Sequence, residues 1–147
     1  MATSFTDNPV VADVHEVRAL HIAELRNAIN TEISRRSGIQ RVWTDTSLST
    51  IPNVTPTKIR EVHVRELRAA SDYAKALDCS TDSSSISVWT NNPIVANVTP
   101  PRAIHINELR AYINSLESQC VCNCDGHCAC NGQCCNCDHC GSHCSPH

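Results

Sequence analysis

The sequence predicts a mainly α protein of three repeats, each an extended arm followed by one helix, with a small irregular Cys/His-rich domain after them. Two observations carry this reading. The phrase His-x-x-Glu-Leu-Arg recurs at His21–Arg26, His63–Arg68 and His105–Arg110, at a constant interval of 42 residues, and self-similarity at a fixed period marks a repeat array. In addition, ten of the 11 cysteines lie in the last 28 residues, which sets that stretch apart. The boundaries read 5–34, 43–77 and 89–117 for the repeats and 120–147 for the tail.

Each arm opens on an aromatic residue followed by Thr and then Asp or Asn: Phe5-Thr6-Asp7, Trp43-Thr44-Asp45 and Trp89-Thr90-Asn91. The aromatic stands 16 residues before the phrase histidine in the first and third copies and 20 before it in the second. The second copy therefore carries a four-residue insertion, expected in a loop. Helix starts are expected at Asp13, where Glu16 completes a capping-box spacing. In the other copies they are expected at Thr55-Pro56 and Thr99-Pro100, where a capping hydroxyl precedes a proline suited to the first turn.

Within the helices, Ile22, Leu25, Ile29 and Ile33 form one apolar stripe. Ile106, Leu109, Ile113 and Leu116 form another, and Val64, Leu67, Ala74 and Leu77 a third. Each is a narrow seam of the kind that seeks a partner helix. The linkers Arg35–Gly38 and Asp78–Ser87 are polar, and Cys79 sits alone at the start of the second, read as an incidental thiol.

Aromatic residues make up 3% of the chain, and thiols inflate its apolar count. So small a core implies marginal stability unless the repeats pack on each other or on neighbouring subunits, and a homo-oligomer or larger assembly is expected. The net charge of −3, with basic residues scattered among acidic ones, argues against nucleic-acid binding. No apolar run is long enough to insert in a membrane, and the N-terminus has neither a basic nor an apolar signal region. Synthesis in the cytoplasm is expected, with a virion or extracellular assembly reached after lysis or by dedicated export.

The three phrase histidines admit two readings. They form a metal site if the repeats meet on an axis, or each borders its seam and fastens helix to arm by a hydrogen bond to the arm backbone. The second is favoured, because repetition at one structural position is what a packing rule produces. The phrase arginines read as solvated or interface ion-pair partners. Glycine-loop, nucleophile-elbow and His-Glu-x-x-His signatures are missing from the sequence, so no catalytic residue is assigned.

The tail supplies the soft ligands. Cys120, Cys122, Cys124, His127, Cys128, Cys130, Cys134, Cys135, Cys137, His139, Cys140, His143 and Cys144 are the candidates. At four ligands per tetrahedral ion, a set of this size saturates about three Zn²⁺. Zn²⁺ is the ion named, with Cu(I) or an iron–sulfur cluster also suited to the chemistry. Disulfides formed under oxidising conditions and thioether modification of a precursor are the alternatives. A reducing cytosol favours metal.

The arm motif, Val-Thr-Pro and His-Ile-x-Glu-Leu-Arg together resemble bacterial and bacteriophage surface- or tail-associated repeat proteins over about residues 5–117. That resemblance implies a structural role in attachment, decoration or assembly. The Cys-x-Cys usage of the tail resembles metallothioneins, which implies metal ligation by Cys120 to Cys144. Together these readings give a non-enzymatic structural protein of a phage particle or bacterial surface filament, whose tail binds metal or cross-links. The rival is a metallothionein-like storage or sensing protein in which the repeats serve to oligomerise.

Overall fold

The three apolar stripes become three helices in the computed structural model: α1 (Ala19–Arg35), α2 (Glu61–Ala76) and α3 (Ala103–Ser118). The structure describes residues 3–48, 58–77, 89–95, 98–119, 121–122 and 128–129. The mainly α class holds. After α3 come two short antiparallel strands, β1 (Val121–Cys122) and β2 (Cys128–Ala129), with Cys122 opposite Cys128.

Every helix packs on both of the others. Ile22, Leu25, Ile29, Ile33, Val64, Leu67, Ile106, Leu109 and Ile113 have no exposed surface, and Leu116 is buried with them. The seams that read as seeking a partner helix find each other inside one chain, so they are not the surface through which copies of the protein meet. In α2 the stripe is interrupted by Ser71, which is also fully buried. Its hydroxyl donates to the Leu67 carbonyl at 2.8 Å, so this buried polar group is satisfied. The arms complete the core: Phe5 and Trp89, with Val10 and Ile94, are buried, and Trp43 and Leu48 are partly buried at the matching places of the second copy.

The expected helix starts are corrected. The residues preceding the first turns are Arg18, Arg60 and Arg102, so Asp13 and Thr99 do not cap helices; Thr55 lies outside the described residues. Asp13 has φ 63°, a left-handed conformation that no helix continues. It lies in a turn closed by the His15 N–H donating to the Val11 carbonyl at 2.9 Å. Thr99 closes the equivalent turn, its N–H 3.0 Å from the Val95 carbonyl, and Pro101 then holds Pro100 away from helical geometry. The side chains are equivalent too: the Val11 N–H donates to His15 Nδ1 at 3.1 Å and the Val95 N–H to Thr99 Oγ1 at 3.3 Å. The unlike residues His15 and Thr99 thus do the same work.

The supposedly polar linker after α1 is structural. α1 ends in a Schellman motif, with the Gly38 N–H on the Ile33 carbonyl at 2.8 Å and the Ser37 N–H on the Ser34 carbonyl at 3.0 Å, and Ser37 at φ 57°. Arg35 and Arg36 both pair with Glu32 and donate to the Leu116 carbonyl at 2.8 and 3.0 Å. Arg35 also donates to the Gln119 carbonyl at 3.1 Å. Two cations therefore close the C-terminal end of α3, where the helix dipole favours them, and fix the point from which the tail departs. Among the described residues no helix is long and apolar enough to cross a membrane.

Candidate functional site

The repeated phrase is the only constellation of chemistry-bearing residues that the described part of the chain builds three times. Each histidine lies in the first turn of its helix with no exposed surface. Nδ1 accepts the N–H of the residue before the helix: Arg18 at 3.2 Å, Arg60 at 3.1 Å and Arg102 at 3.2 Å. An imidazole thus supplies the half of a capping box that Glu or Gln usually supplies. Nε2 faces the arm, 3.1 Å from Asp7 Oδ2, 2.9 Å from Asp45 Oδ2 and 3.1 Å from Asn91 Oδ1. A backbone N–H at Nδ1 requires the Nε2–H tautomer, so Nε2 donates to each arm oxygen.

The arm residue is Asp or Asn for a second reason. Asp7, Asp45 and Asn91 have φ of 48°, 52° and 52°, the left-handed region these types tolerate. One residue therefore turns the arm and accepts the histidine. Burial pushes the imidazoles of His21 and His105 below their ordinary value, and Arg18 and Arg110 beside His21 push it the same way. The Asp7 carboxyl is held below its usual range chiefly by the hydrogen bond from His21, and Asp45 by those from Arg60 and His63.

The glutamate holds its own arm. Glu24, Glu66 and Glu108 accept the backbone N–H groups of Thr6, Thr44 and Thr90 at 3.1 Å, and their hydroxyls as well. The arginine crosses to the next repeat. Arg26 donates to the Thr44 and Asp45 carbonyls at 2.6 and 2.9 Å, and Arg68 to the Thr90 carbonyl at 2.8 Å. Arg110 returns to the first repeat, donating to the Thr6 and Asp7 carbonyls at 2.6 and 2.7 Å. The array is therefore a closed ring, not an open stack.

Each guanidinium also approaches the glutamate of the repeat it reaches, at 3.3–3.5 Å. Each lies over that repeat's aromatic ring, 5.3 Å from Trp43, 5.1 Å from Trp89 and 5.0 Å from Phe5. Burial lowers the pKa of all three arginines from the ordinary value, and the facing carboxylates oppose it. Their Nε atoms find no acceptor among the described residues, so the ring face is the compensation available on that side. Of the two readings of these arginines, the interface one is correct. They are 2–5% exposed.

The closing interface has a clasp the other two lack. The Asn107 side chain accepts the Val10 N–H at 3.0 Å and donates to the Val10 carbonyl at 2.8 Å, whereas Ala23 and Arg65 occupy that phrase position in the other copies. Thr3 is tied to Glu117 as well. Asn107 and the threonines went unassigned from sequence, although the recurrence of Thr in all three arms was a visible signal.

The reading of the three histidines as a joint metal site fails on geometry, because both ring nitrogens of each are already engaged. The reading as arm fasteners is right in role and corrected in partner: the acceptor is an arm side chain, not arm backbone. Of the thirteen tail candidates, Cys122 lies in β1 and Cys128 in β2. Cys120, Cys124, His127, Cys130, Cys134, Cys135, Cys137, His139, Cys140, His143 and Cys144 lie outside the described residues, as does Cys79. No family model, curated protein or solved structure matches the chain.

Proposed function

We propose that the chain is a non-enzymatic structural protein of a phage particle or bacterial surface assembly, in which a closed three-repeat ring carries a Cys/His tail that binds thiophilic metal ions. One observation carries this reading. The His, Glu and Arg of all three phrases are spent on holding arms and closing the ring, so the chemistry left for a ligand is concentrated in the ten cysteines after α3. A site that must bind, polarise or exchange a proton needs a group with a free lone pair or an open face, and the phrase offers neither. In an assembly, copies of the ring would meet through their arms rather than their seams and would present the tail in multiple copies.

Zn²⁺ suits clustered thiolates and imidazoles, which are soft and borderline ligands; Cu(I) and iron–sulfur chemistry use the same donors. Elemental analysis of protein purified anaerobically, paired with non-reducing gels and intact mass, tests the reading. Stoichiometric metal on full-length chains of unmodified mass supports it. Metal-free protein that runs as a ladder without reductant would replace metal with cross-linking, and a mass deficit from lost water would indicate thioethers.

A further inference from the structure

We infer that copies of the protein associate through two unlike arm tips, with Val11 and Val14 of the first repeat on one copy set against Val95 and Val98 of the third repeat on the next. The inference rests on the assembly reading of the ring and deepens it by naming the surfaces that meet. The two tips are built alike. In the first, the Val14 and His15 N–H groups donate to the Val11 carbonyl at 3.3 and 2.9 Å; in the third, those of Val98 and Thr99 donate to the Val95 carbonyl at 3.2 and 3.0 Å. Val11 and Val14 are 44% and 70% exposed, and Val95 and Val98 are 46% and 73% exposed. A pair of valines held out to water by the same hydrogen-bonded turn in both copies differs from apolar residues scattered singly over a surface. Val54, at the corresponding place of the second arm, lies outside the described residues.

The charges beside the two tips differ in sign, and this selects the partner. The first tip carries Asp13 and Glu16, which are exposed and form no ion pair among the described residues, while its cation Arg18 is taken up by Asp7. The third tip has no acidic residue between Val95 and Arg102. Arg18 and Arg60 pair with Asp7 and Asp45, but Asn91 stands where the third pair would have its carboxylate. The exposed Arg102 guanidinium is therefore left without a carboxylate among the described residues. Two like tips would set acid against acid or cation against cation. Unlike tips set valine on valine with Asp13 and Glu16 facing Arg102, the complementary arrangement. A contact between unlike patches runs head to tail from copy to copy. Two valines a side make a small contact, of the weak and concentration-dependent class.

The test is sedimentation velocity of the full chain from about 10 μM to about 1 mM, the range a weak contact requires, with reductant and chelator present so that neither disulfides nor metal joins the tails. The wild type is expected to grow in mass with concentration beyond a dimer. Val14→Asp and Val98→Asp are each expected to remain monomeric with unchanged helical circular dichroism. Their equimolar mixture is expected to form a one-to-one dimer and nothing larger, because each supplies the tip the other lacks. Arg102→Glu is expected to weaken association by about 10-fold or more, and Glu16→Lys added to it is expected to recover part of that loss. Association that persists in Val98→Asp alone, or a mixture that remains monomeric, would overturn the pairing of unlike tips while leaving assembly to another face. A wild type that is still monomeric at the highest concentration overturns assembly through the arms itself.

Discussion

A histidine with an N–H donated into one nitrogen and a carboxylate or amide at the other has its protonation state chosen for it. A second proton would have to sit on Nδ1, against the Arg18 or Arg102 N–H. This agrees with the lowered pKa of His21 and His105. The folded state therefore binds fewer protons than the unfolded chain below the ordinary imidazole value of about 6.5. Their contribution to stability is present above that value and is lost as pH falls through the lower folded-state pKa values. The urea midpoint followed by helical circular dichroism is expected to drop as pH is lowered below the ordinary imidazole value of about 6.5; a midpoint that is flat or rises there would refute the neutral assignment. His63→Ala, which strands the Arg60 N–H and removes the donor to Asp45, is expected to cost about 2–3 kcal/mol in the same assay. The sequence placed the histidines at the edge of the seams because their period is the period of the seams. It did not reveal what they touch, since the left-handed turns at Asp7, Asp45 and Asn91 leave no hydrophobic periodicity.

At the scale of the element, the helix bodies were legible and their ends were not. Stripes such as Ile22, Leu25, Ile29 and Ile33 identify a buried face directly, because burial follows the helical repeat. Capping residues do not, because Asp13 and Thr99 serve turns as well as they serve helix starts. At the other end of α1, a Cβ on Gly38 would stand 2.2 Å from Leu77 Cδ1, 2.9 Å from Ile33 Cγ2 and 3.2 Å from the Ile33 carbonyl oxygen. The glycine is needed for close approach of the chain to α2, while Ser37 takes the left-handed position. Gly38→Ala is expected to destabilise by about 1–3 kcal/mol, the range for overpacking, read as a lower urea midpoint. An unchanged midpoint would show that Leu77 yields freely. Asn107→Ala removes two hydrogen bonds at the closing interface, an expected loss of about 1–3 kcal/mol. Ala23→Asn, at the equivalent place in α1, tests whether the clasp can be transplanted: a rise in the midpoint would show that it can.

For the molecule as a whole, closure decides how many repeats the unit holds. An open array leaves a terminal repeat with an uncovered face, whereas here the third repeat's arginine and asparagine cover the first repeat's arm. The ring is therefore expected to fold without the tail: a chain ending at Gln119 should keep its helical signal and unfold in one transition near the full-length midpoint. Of the tail, the sequence offers a set of candidate donors, since thiol spacing carries no geometry. Closure was not readable at all, because recurring phrases are compatible with a stack or a ring, and contacts between the third and first repeats, such as that of Arg110 with Thr6 and Asp7, distinguish them. The most direct test of closure is therefore the urea stability of Arg110→Ala set beside that of Arg26→Ala. A closed ring requires both to lose about 2–4 kcal/mol, because each strands two carbonyls and leaves a half-buried glutamate without its cation. A large loss for Arg26→Ala with none for Arg110→Ala would contradict it and return the protein to an open array.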